Sequence, residues 1–495
     1  MTGNFHNIVA ARPGKRQNER GSAGIVFLIL LVVAGVSFII WELRGKPPEI
    51  RLLTERKGIG RSTAISFSAT DRRGLRALTV TLDQGGQSIP VRAETFASRW
   101  AWRTGPKTET REILLGTEQQ QHLRDGQATL RIVAENKNWF SSRASIERTY
   151  GVRSRAPSIS VRSGLLYINQ AGCEMVIYSV SPGTVVSGVR VGAYFFPGLP
   201  LPGGKTEDRL AFFAFPYDAS TDATPIVIAR DDAENEATAS IAFHLFPKNF
   251  RHRDIPIDDK FLQSTVPAIL AHTPGARDQG DLLKNFLFVN GELRKANRAK
   301  IAEIGKDTVP EFLWEGPFIQ LTNSAVESQF ADYRSYIYQG KKVDEQVHLG
   351  FDLAVVIHTP VPAANSGRVV FADYLGIFGN AILLDHGFGL QTIYAHLNSF
   401  KVKTGDKVTK GQVIADSDST GLAGGDHLHF TTLLDGVEVN PVEWWDKLWI
   451  EKHILDKLAA DKQSGGIPPQ MSQQPVEPLS QPRQSSRRRT SKRRR

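Results

Sequence analysis

The chain has 495 residues, 41% of them hydrophobic and 23% charged, the balance of a folded protein and not of an intrinsically disordered one. Its net charge of +10 would point to nucleic acid, but eight of the positive charges fall in the last thirteen residues, so the basicity belongs to a tail and the rest is nearly balanced. A single cysteine, Cys173, excludes an internal disulfide and any CxxC metal or redox motif; it reads as a small buried apolar residue, and the count does not exclude export. The length predicts about three domains.

Ala23 to Trp41, AGIVFLILLVVAGVSFIIW, runs nineteen residues without a charge. At about 1.5 Å per residue it reaches nearly 30 Å, the thickness of a bilayer core. The run exceeds the apolar core of a signal peptide, about 7–15 residues, and no small-x-small cleavage site precedes polar sequence. It is expected to be an uncleaved transmembrane helix over 23–41. Arg12, Lys15, Arg16 and Arg20, against Glu19 alone, favour a cytoplasmic tail over 1–22. Arg44, Lys46 and Arg51 on the far flank temper that bias. The expected location is a single pass through the inner membrane, with everything from about residue 45 onward periplasmic or extracytoplasmic.

Residues 47 to about 250 show no helical period. Thr63–Phe67, Leu78–Leu82, Ala128–Val133 and Ser158–Val161 read as strands between turns such as Asp83–Gly86 and Asp125-Gly126. Glu174–Val180, Val185–Phe195, Leu210–Phe215 and Ile226–Ala229 form a second set. This spacing predicts two β-sandwich-like modules, 47–153 and 154–252, opened by Pro47-Pro48 and Ala156-Pro157 and resembling a tandem repeat. They carry no chemistry and read as spacers or as docking modules for other envelope proteins. From 253 to 310, apolar residues at three- and four-residue steps (Phe261, Leu262, Val266, Ile269, Leu270, then Leu282, Leu283, Phe286, Leu287) predict a helical connector. His244, His252 and His272 have no carboxylate cluster and read as structural or exposed.

The stretch from His348 to Phe430 holds six of the twelve histidines, at 348, 358, 386, 396, 427 and 429. Three clusters stand out: His348-Leu349-Gly350-Phe351-Asp352, Tyr394-Ala395-His396-Leu397 and His427-Leu428-His429-Phe430. Neutral imidazole with carboxylate is the ligand chemistry of catalytic zinc, where three protein ligands leave one position for water. Short β runs at Leu353–Ile357, Arg368–Phe371 and Ala381–Leu384 place the clusters on strands. Positions two or four apart then share a face: His427 with His429, and His348 with Asp352, with Gly350 between them leaving room for an ion.

In this order and separation, HLGFD, YAHL and HLHF resemble the LytM/lysostaphin-type zinc endopeptidases that cut peptidoglycan cross-bridges. The match extends through Thr359–Ala363, Ser366–Val369, Leu384–Gly389, Gly405–Gln412, Thr420-Gly421 and Asn440-Pro441, roughly residues 311–447, under a third of the chain. The resemblance implies zinc held by His348, Asp352 and His429, with His396 and His427 as catalytic histidines. Which of the two takes the proton and which meets the oxyanion stays open. Three positions depart from the family pattern: Ala331 for Gly, Asp426 for Pro and Thr431 for Glu. None is expected to touch a ligand, so they are expected to shape the groove and not the metal. Asp385, His386 and His358 are read as structural.

A closing helix is expected over 448–463, and from 464 to 495 the Gln, Pro, Ser and Arg-rich sequence cannot bury a core and is expected to be disordered. Its basic end suits anionic envelope polymers or lipid headgroups, or no partner at all; a cytoplasmic nucleic-acid role conflicts with the expected orientation. The fold class expected is mainly β: a transmembrane helix, two β-sandwich-like modules, a helical connector, an antiparallel β LytM-type peptidase domain over 311–447 and a disordered tail. The expected function is zinc-dependent endopeptidase action on peptidoglycan cross-links. The alternative is a non-hydrolytic LytM-like scaffold that binds or activates other cell-wall hydrolases; the presence of all five residues favours the enzyme. Gly405–Gly411 also resembles the hairpins of biotin and lipoyl carriers, but the lysine motif at the tip is missing.

Overall fold

The computed structural model describes residues 19–43, 46–96, 105–137 and 142–465. Most of the expected cytoplasmic tail and the tail from 466 onward lie outside the described residues. Glu19–Leu43 is one helix enclosing the apolar run 23–41. Its described side chains, Ile25 to Ile40, are all exposed. Among the described residues no helix is long and apolar enough to cross a membrane.

The chain divides into two compact units, residues 1–156 with 230–236, and residues 157–229 with 237–495. In the first, a three-stranded and a five-stranded sheet enclose one core of Ile65, Phe67, Leu78, Val80, Leu130 and Ile132 with their neighbours. Thr63–Thr70 shows the cause: every second residue, Thr63, Ile65, Phe67 and Ala69, is buried, because successive side chains of a strand point to opposite faces. Leu75–Gln84 turns into Gln87–Thr95 through Gly85 and Gly86, at φ +59° and +81°. That is the two-residue hairpin geometry only glycine-like residues adopt freely.

In the second unit, Cys173–Val180 lies between Asp208–Ala214 and Ile159–Val161 and is buried along nearly its whole length. The expected run Val185–Phe195 is two strands, Thr184–Val191 and Tyr194–Pro197, paired antiparallel; Gly192 at φ +57° turns the chain between them. Helices follow at Asp259–His272 and Leu282–Phe288, each started by an aspartate, Asp258 or Asp281, whose carboxylate accepts an N–H of the first turn. A π-turn, Val289–Leu293, leads into Arg294–Ile304.

Two sheets then carry the three histidine clusters. His252–Ile257 pairs in parallel with Asp332–Tyr338, which pairs antiparallel with Lys341–His348. A ten-stranded sheet contains Phe351–Ala354, His427–Leu434, Leu390–Phe400 and Asn380–Asp385 in neighbouring positions. The strand expected over Leu353–Ile357 ends at Ala354, and Val356 and Ile357 are exposed. A single hydrophobic core joins Val176, Phe212 and Phe213 to Trp314, Tyr394 and Trp444. Trp444 is fully buried and meets Phe212 and Trp314 edge-on at 5.7 and 5.6 Å, a favoured aromatic geometry. The closing segment breaks at Asp446, which caps Lys447–Ile450, before ending in Asp456–Gln463.

Candidate metal centre

Strand pairing brings most of the site together. Phe351–Ala354 runs antiparallel to His427–Leu434 with Asp352 directly opposite His429. On the other edge, Leu390–Phe400 places Ala395 opposite His429, which brings His396 alongside. His348 comes from another sheet: it ends the strand Lys341–His348, and the chain turns through Leu349 and Gly350 before Phe351. His348 and Asp352 therefore do not share one strand, as their spacing suggested. Gly350 is required at this turn, because a Cβ there would lie 2.4 Å from Thr431 Oγ1 and 2.5 Å from His429 Cε1. It makes room for the His429 imidazole and not for an ion.

His348, Asp352 and His429 are all buried. His348 Nε2 lies 2.9 Å from Asp352 Oδ1 and 3.0 Å from His429 Nδ1, and His429 Nδ1 lies 3.0 Å from Asp352 Oδ1. The surrounding partners fix where the protons are. His348 Nδ1 is 3.1 Å from the Gln329 carbonyl, which only accepts, so Nδ1 carries the hydrogen and Nε2 is bare. The Thr431 hydroxyl donates to the Leu349 carbonyl at 2.7 Å and so accepts from His429 Nε2 at 3.1 Å, leaving His429 Nδ1 bare. Arg334 donates to Asp352 Oδ2 at 2.7 Å, which turns Oδ1 toward the imidazoles.

Three acceptors thus converge with no hydrogen between them. Burial pushes His429 down to about 4 and His348 also down, against the pull of Asp352. Burial alone would raise the Asp352 carboxyl, but His348, His427 and His429 hold it well below the usual carboxylate range. Two neutral imidazoles and a carboxylate, facing one point and oriented by outer hydrogen bonds, form a donor set that a metal cation fits. His348, Asp352 and His429 form one of two groups among the described residues that could hold a metal ion.

His396 and His427 stand beside the triangle, their ring centroids 4.8 Å apart. His396 sits at φ +59°, a left-handed backbone uncommon outside glycine, though less so for histidine. Its Nδ1 donates to the Thr420 carbonyl at 2.7 Å, and His427 Nδ1 donates to the Gly425 carbonyl at 2.8 Å. Each ring therefore has its Nε2 left for the groove, a cavity of about 610 Å³ that both line together with His348, Asp352 and His429. Burial and the neighbouring imidazoles lower His396 well below its ordinary value. In His427 burial is outweighed by Asp352 Oδ1, 3.5 Å from Nε2, and the pKa rises.

His386 shows what a structural histidine looks like here. It is fully buried, and both nitrogens are occupied, by the Ser366 carbonyl at 2.7 Å and Thr392 Oγ1 at 2.8 Å. His358 is exposed and near Asp418 and Asp426. Both Asp426 oxygens are already engaged, by Ser417 Oγ at 2.6 Å and the His358 N–H at 3.0 Å.

The orienting groups escaped the sequence. Gln329, Thr420 and Gly425 act through backbone carbonyls, which leave no residue signature. Arg334 looked like any strand arginine. Thr431 did stand out as a departure from the family pattern, but it touches His429 directly, so it bears on the metal site and not only on the groove. Ala331, another departure, sits at φ +61° with its N–H on the His348 carbonyl at 2.7 Å, which accounts for a preference for glycine there.

Residues 346–441 match the model of Peptidase family M23. Over 97 residues the chain is 40% identical to DD-carboxypeptidase/endopeptidase Mpg of Neisseria meningitidis serogroup B, covering 20% of this chain and 22% of that protein. Over 96 residues it is 38% identical to peptidoglycan DD-endopeptidase ShyA of Vibrio cholerae, covering 19% and 22%. The chain spans about a fifth of the length of these curated relatives. Among solved structures, the catalytic domain of the antimicrobial peptidase lysostaphin from Staphylococcus simulans is 31% identical, with a TM-score of 0.24, covering 26% of this chain and 98% of that one.

Proposed function

We propose, on the premise that residues 346–441 are a Peptidase family M23 domain, that the chain is a zinc-dependent endopeptidase hydrolysing peptide cross-links of bacterial peptidoglycan. The observation that carries this reading is the proton-free triangle of His348 Nε2, Asp352 Oδ1 and His429 Nδ1, flanked by two imidazoles whose Nδ1 atoms are tied to carbonyls. His348, Asp352 and His429 hold the ion, while Gln329, Arg334 and Thr431 fix their orientation. When bound, zinc supplies Lewis acidity, lowering the pKa of water from 15.7 to about 7 and polarising a carbonyl. His396 and His427 work at Nε2: one takes the proton of the attacking water, and the other donates a hydrogen bond to the oxygen that gains charge. Such groups contribute on the order of 10²–10⁴-fold each.

The relatives named as peptidoglycan DD-endopeptidases support the substrate class. The nineteen-residue uncharged run Ala23–Trp41 supports anchoring in the inner membrane, with the N-terminus cytoplasmic and the peptidase outside. The β modules are proposed to dock other envelope proteins.

The test pairs zinc analysis with mass analysis of muropeptides released from purified peptidoglycan. His429→Ala should lose zinc, whereas His427→Ala should keep about one ion per chain while cleavage falls by roughly 10²-fold or more. Equal zinc loss in both variants overturns the division of roles. A wild type that holds zinc yet releases no fragments favours a non-hydrolytic scaffold.

A further inference from the structure

The metal groove carries a positive charge that the hydrolytic machinery does not use. Arg294 lines the groove of about 610 Å³ together with His348 and Asp352, and also two adjoining cavities of about 170 and 350 Å³. Its placement is built. The π-turn Val289–Leu293 inserts an extra residue ahead of it, a local departure that recurs at functional sites. Within that turn Asn290, fully buried, is pinned by its Nδ2 to Asp344 Oδ2 at 2.7 Å. Asn290 then accepts from Arg294 twice, from Nε at its carbonyl (3.1 Å) and from Nη2 at Oδ1 (2.6 Å). Those two bonds orient the guanidinium and leave its other N–H groups toward the cavities.

The neighbouring arginines are paired. Arg334 binds Asp352, and Arg298 binds both oxygens of Glu438 at 2.9 and 3.1 Å. Among the described residues no carboxylate pairs with Arg294. Burial, together with the charges of Arg334 and Arg298, works against its protonated form, while Tyr336 and the Asp344 carboxylate offset only part of that; a bound anion would offset more. A guanidinium fork matches a carboxylate in two parallel hydrogen bonds. The cavity shared by Arg294, His348 and His429 has only about 170 Å³, room for about one residue beyond the reacting centre.

We propose that Arg294 is the carboxylate anchor of the groove, selecting peptides that bear a free carboxylate on the residue next to the bond cut. The proposal rests on the peptidase reading and narrows it: a stem peptide with a free carboxylate beside the scissile amide is taken, and a neutral bridge of glycines is not. Arg294 acts in binding and orientation and exchanges no proton.

The test uses the full chain and two probes, N-acetyl-L-lysyl-D-alanyl-D-alanine and its C-terminal amide. Calorimetric titration of the metal-free protein compares their affinities, and the zinc-loaded protein is assayed for cleavage of both. The acid should bind at least about tenfold more tightly, the worth of one charge-assisted hydrogen bond. Arg294→Met, which keeps the aliphatic stem, should bring the ratio near one, and Arg294→Lys should retain part of it. Thermal unfolding checks that the variants remain folded. Equal binding of acid and amide by wild type, no detectable binding of the acid, or an undiminished ratio in Arg294→Met overturns the proposal. Preferential, Arg294-dependent binding without cleavage upholds the anchor and counts against the peptidase reading alone.

Discussion

Residues 47–153 and 154–252 read alike as sequence, each a series of short strands opened by proline, yet they are stabilised differently. The core of the first lies entirely between Ile59 and Val152. That of the second, from Leu166 to Ile241, is continuous with Trp314 and Trp444 of the region 311–447 and with Ile454 of the closing segment. The difference is visible strand by strand. Thr63–Thr70 buries alternate residues and keeps a wet face, whereas Cys173–Val180 is buried on both faces. A strand covered on both sides needs a second layer, and here the closing segment contributes to it. His453 donates to Glu174 at 2.7 Å, with Lys457 on the same carboxylate, and Arg162 pairs with Asp461 at 2.9 Å. The first stretch has a core of its own; the second shares its core with the region that carries the candidate metal centre.

The largest effect that tests this contrast comes from equivalent cavities in the two cores. Phe67 and Phe212 are both essentially buried, and truncating either to alanine should cost about 3–5 kcal/mol. Phe67→Ala should lower the melting of the first unit and leave zinc retention and peptidoglycan cleavage at wild-type levels. Phe212→Ala, although it lies in the second β module, should lower the temperature at which zinc is lost. Calorimetry with zinc release followed in parallel separates the outcomes. If Phe212→Ala leaves zinc release unchanged, the two cores are not one cooperative unit.

A smaller effect is expected at the ion pairs. Glu174 is fully buried, while His453 and Lys457 each remain 22% exposed at the side chain. Removing one partner of a fully buried pair costs about 3–5 kcal/mol. These two partners can rotate outward to water, so Glu174→Ala should cost nearer 2 kcal/mol. The loss should appear in the second unit's transition under urea and not in the first. A loss shared by both would break the comparison.

The sequence made the site more legible than the fold around it. Three histidine-bearing clusters carried chemistry in their residue types, and the structure brings all five expected residues to one groove. The route by which they meet was only partly readable. His-x-His on a strand followed from side-chain alternation, but the step of His348 into another sheet depends on the tight turn at Gly350, whose need arises only once the His429 ring stands against it. The helical connector was read from its apolar spacing, but the π-turn that aims Arg294 changes no such spacing and left no mark. Val185–Phe195 looked continuous because the turn there needs only Gly192. The union of the second β module with the peptidase had a signal, the nearly unbroken apolar run MVIY from Met175 to Tyr178. Pattern alone says that such a strand is covered twice; it does not say by what.

The smallest effect is a pH dependence confined to that union. Glu443 is buried and accepts from Asn169 Nδ2 at 2.8 Å, and from the Cys173 N–H at 2.8 Å and its thiol at 3.4 Å. Burial pushes its carboxyl up from the ordinary 4.5, and Glu174 adds to the rise against the pull of those donors. The folded state therefore keeps a proton that the unfolded chain has already released once the pH exceeds about 4.5. Stability linked to this group is fully present below that pH and declines as pH rises through the folded pKa. Glu443→Gln removes the titration while keeping one acceptor oxygen. Relative to the variant, wild type should lose stability progressively from pH 5 upward in the second unit's unfolding, while the first unit's profile stays the same in both proteins. Parallel stability curves for wild type and Glu443→Gln would show that the proton on Glu443 is not linked to folding, and that the seam holds through packing and the Glu174 and Arg162 ion pairs alone.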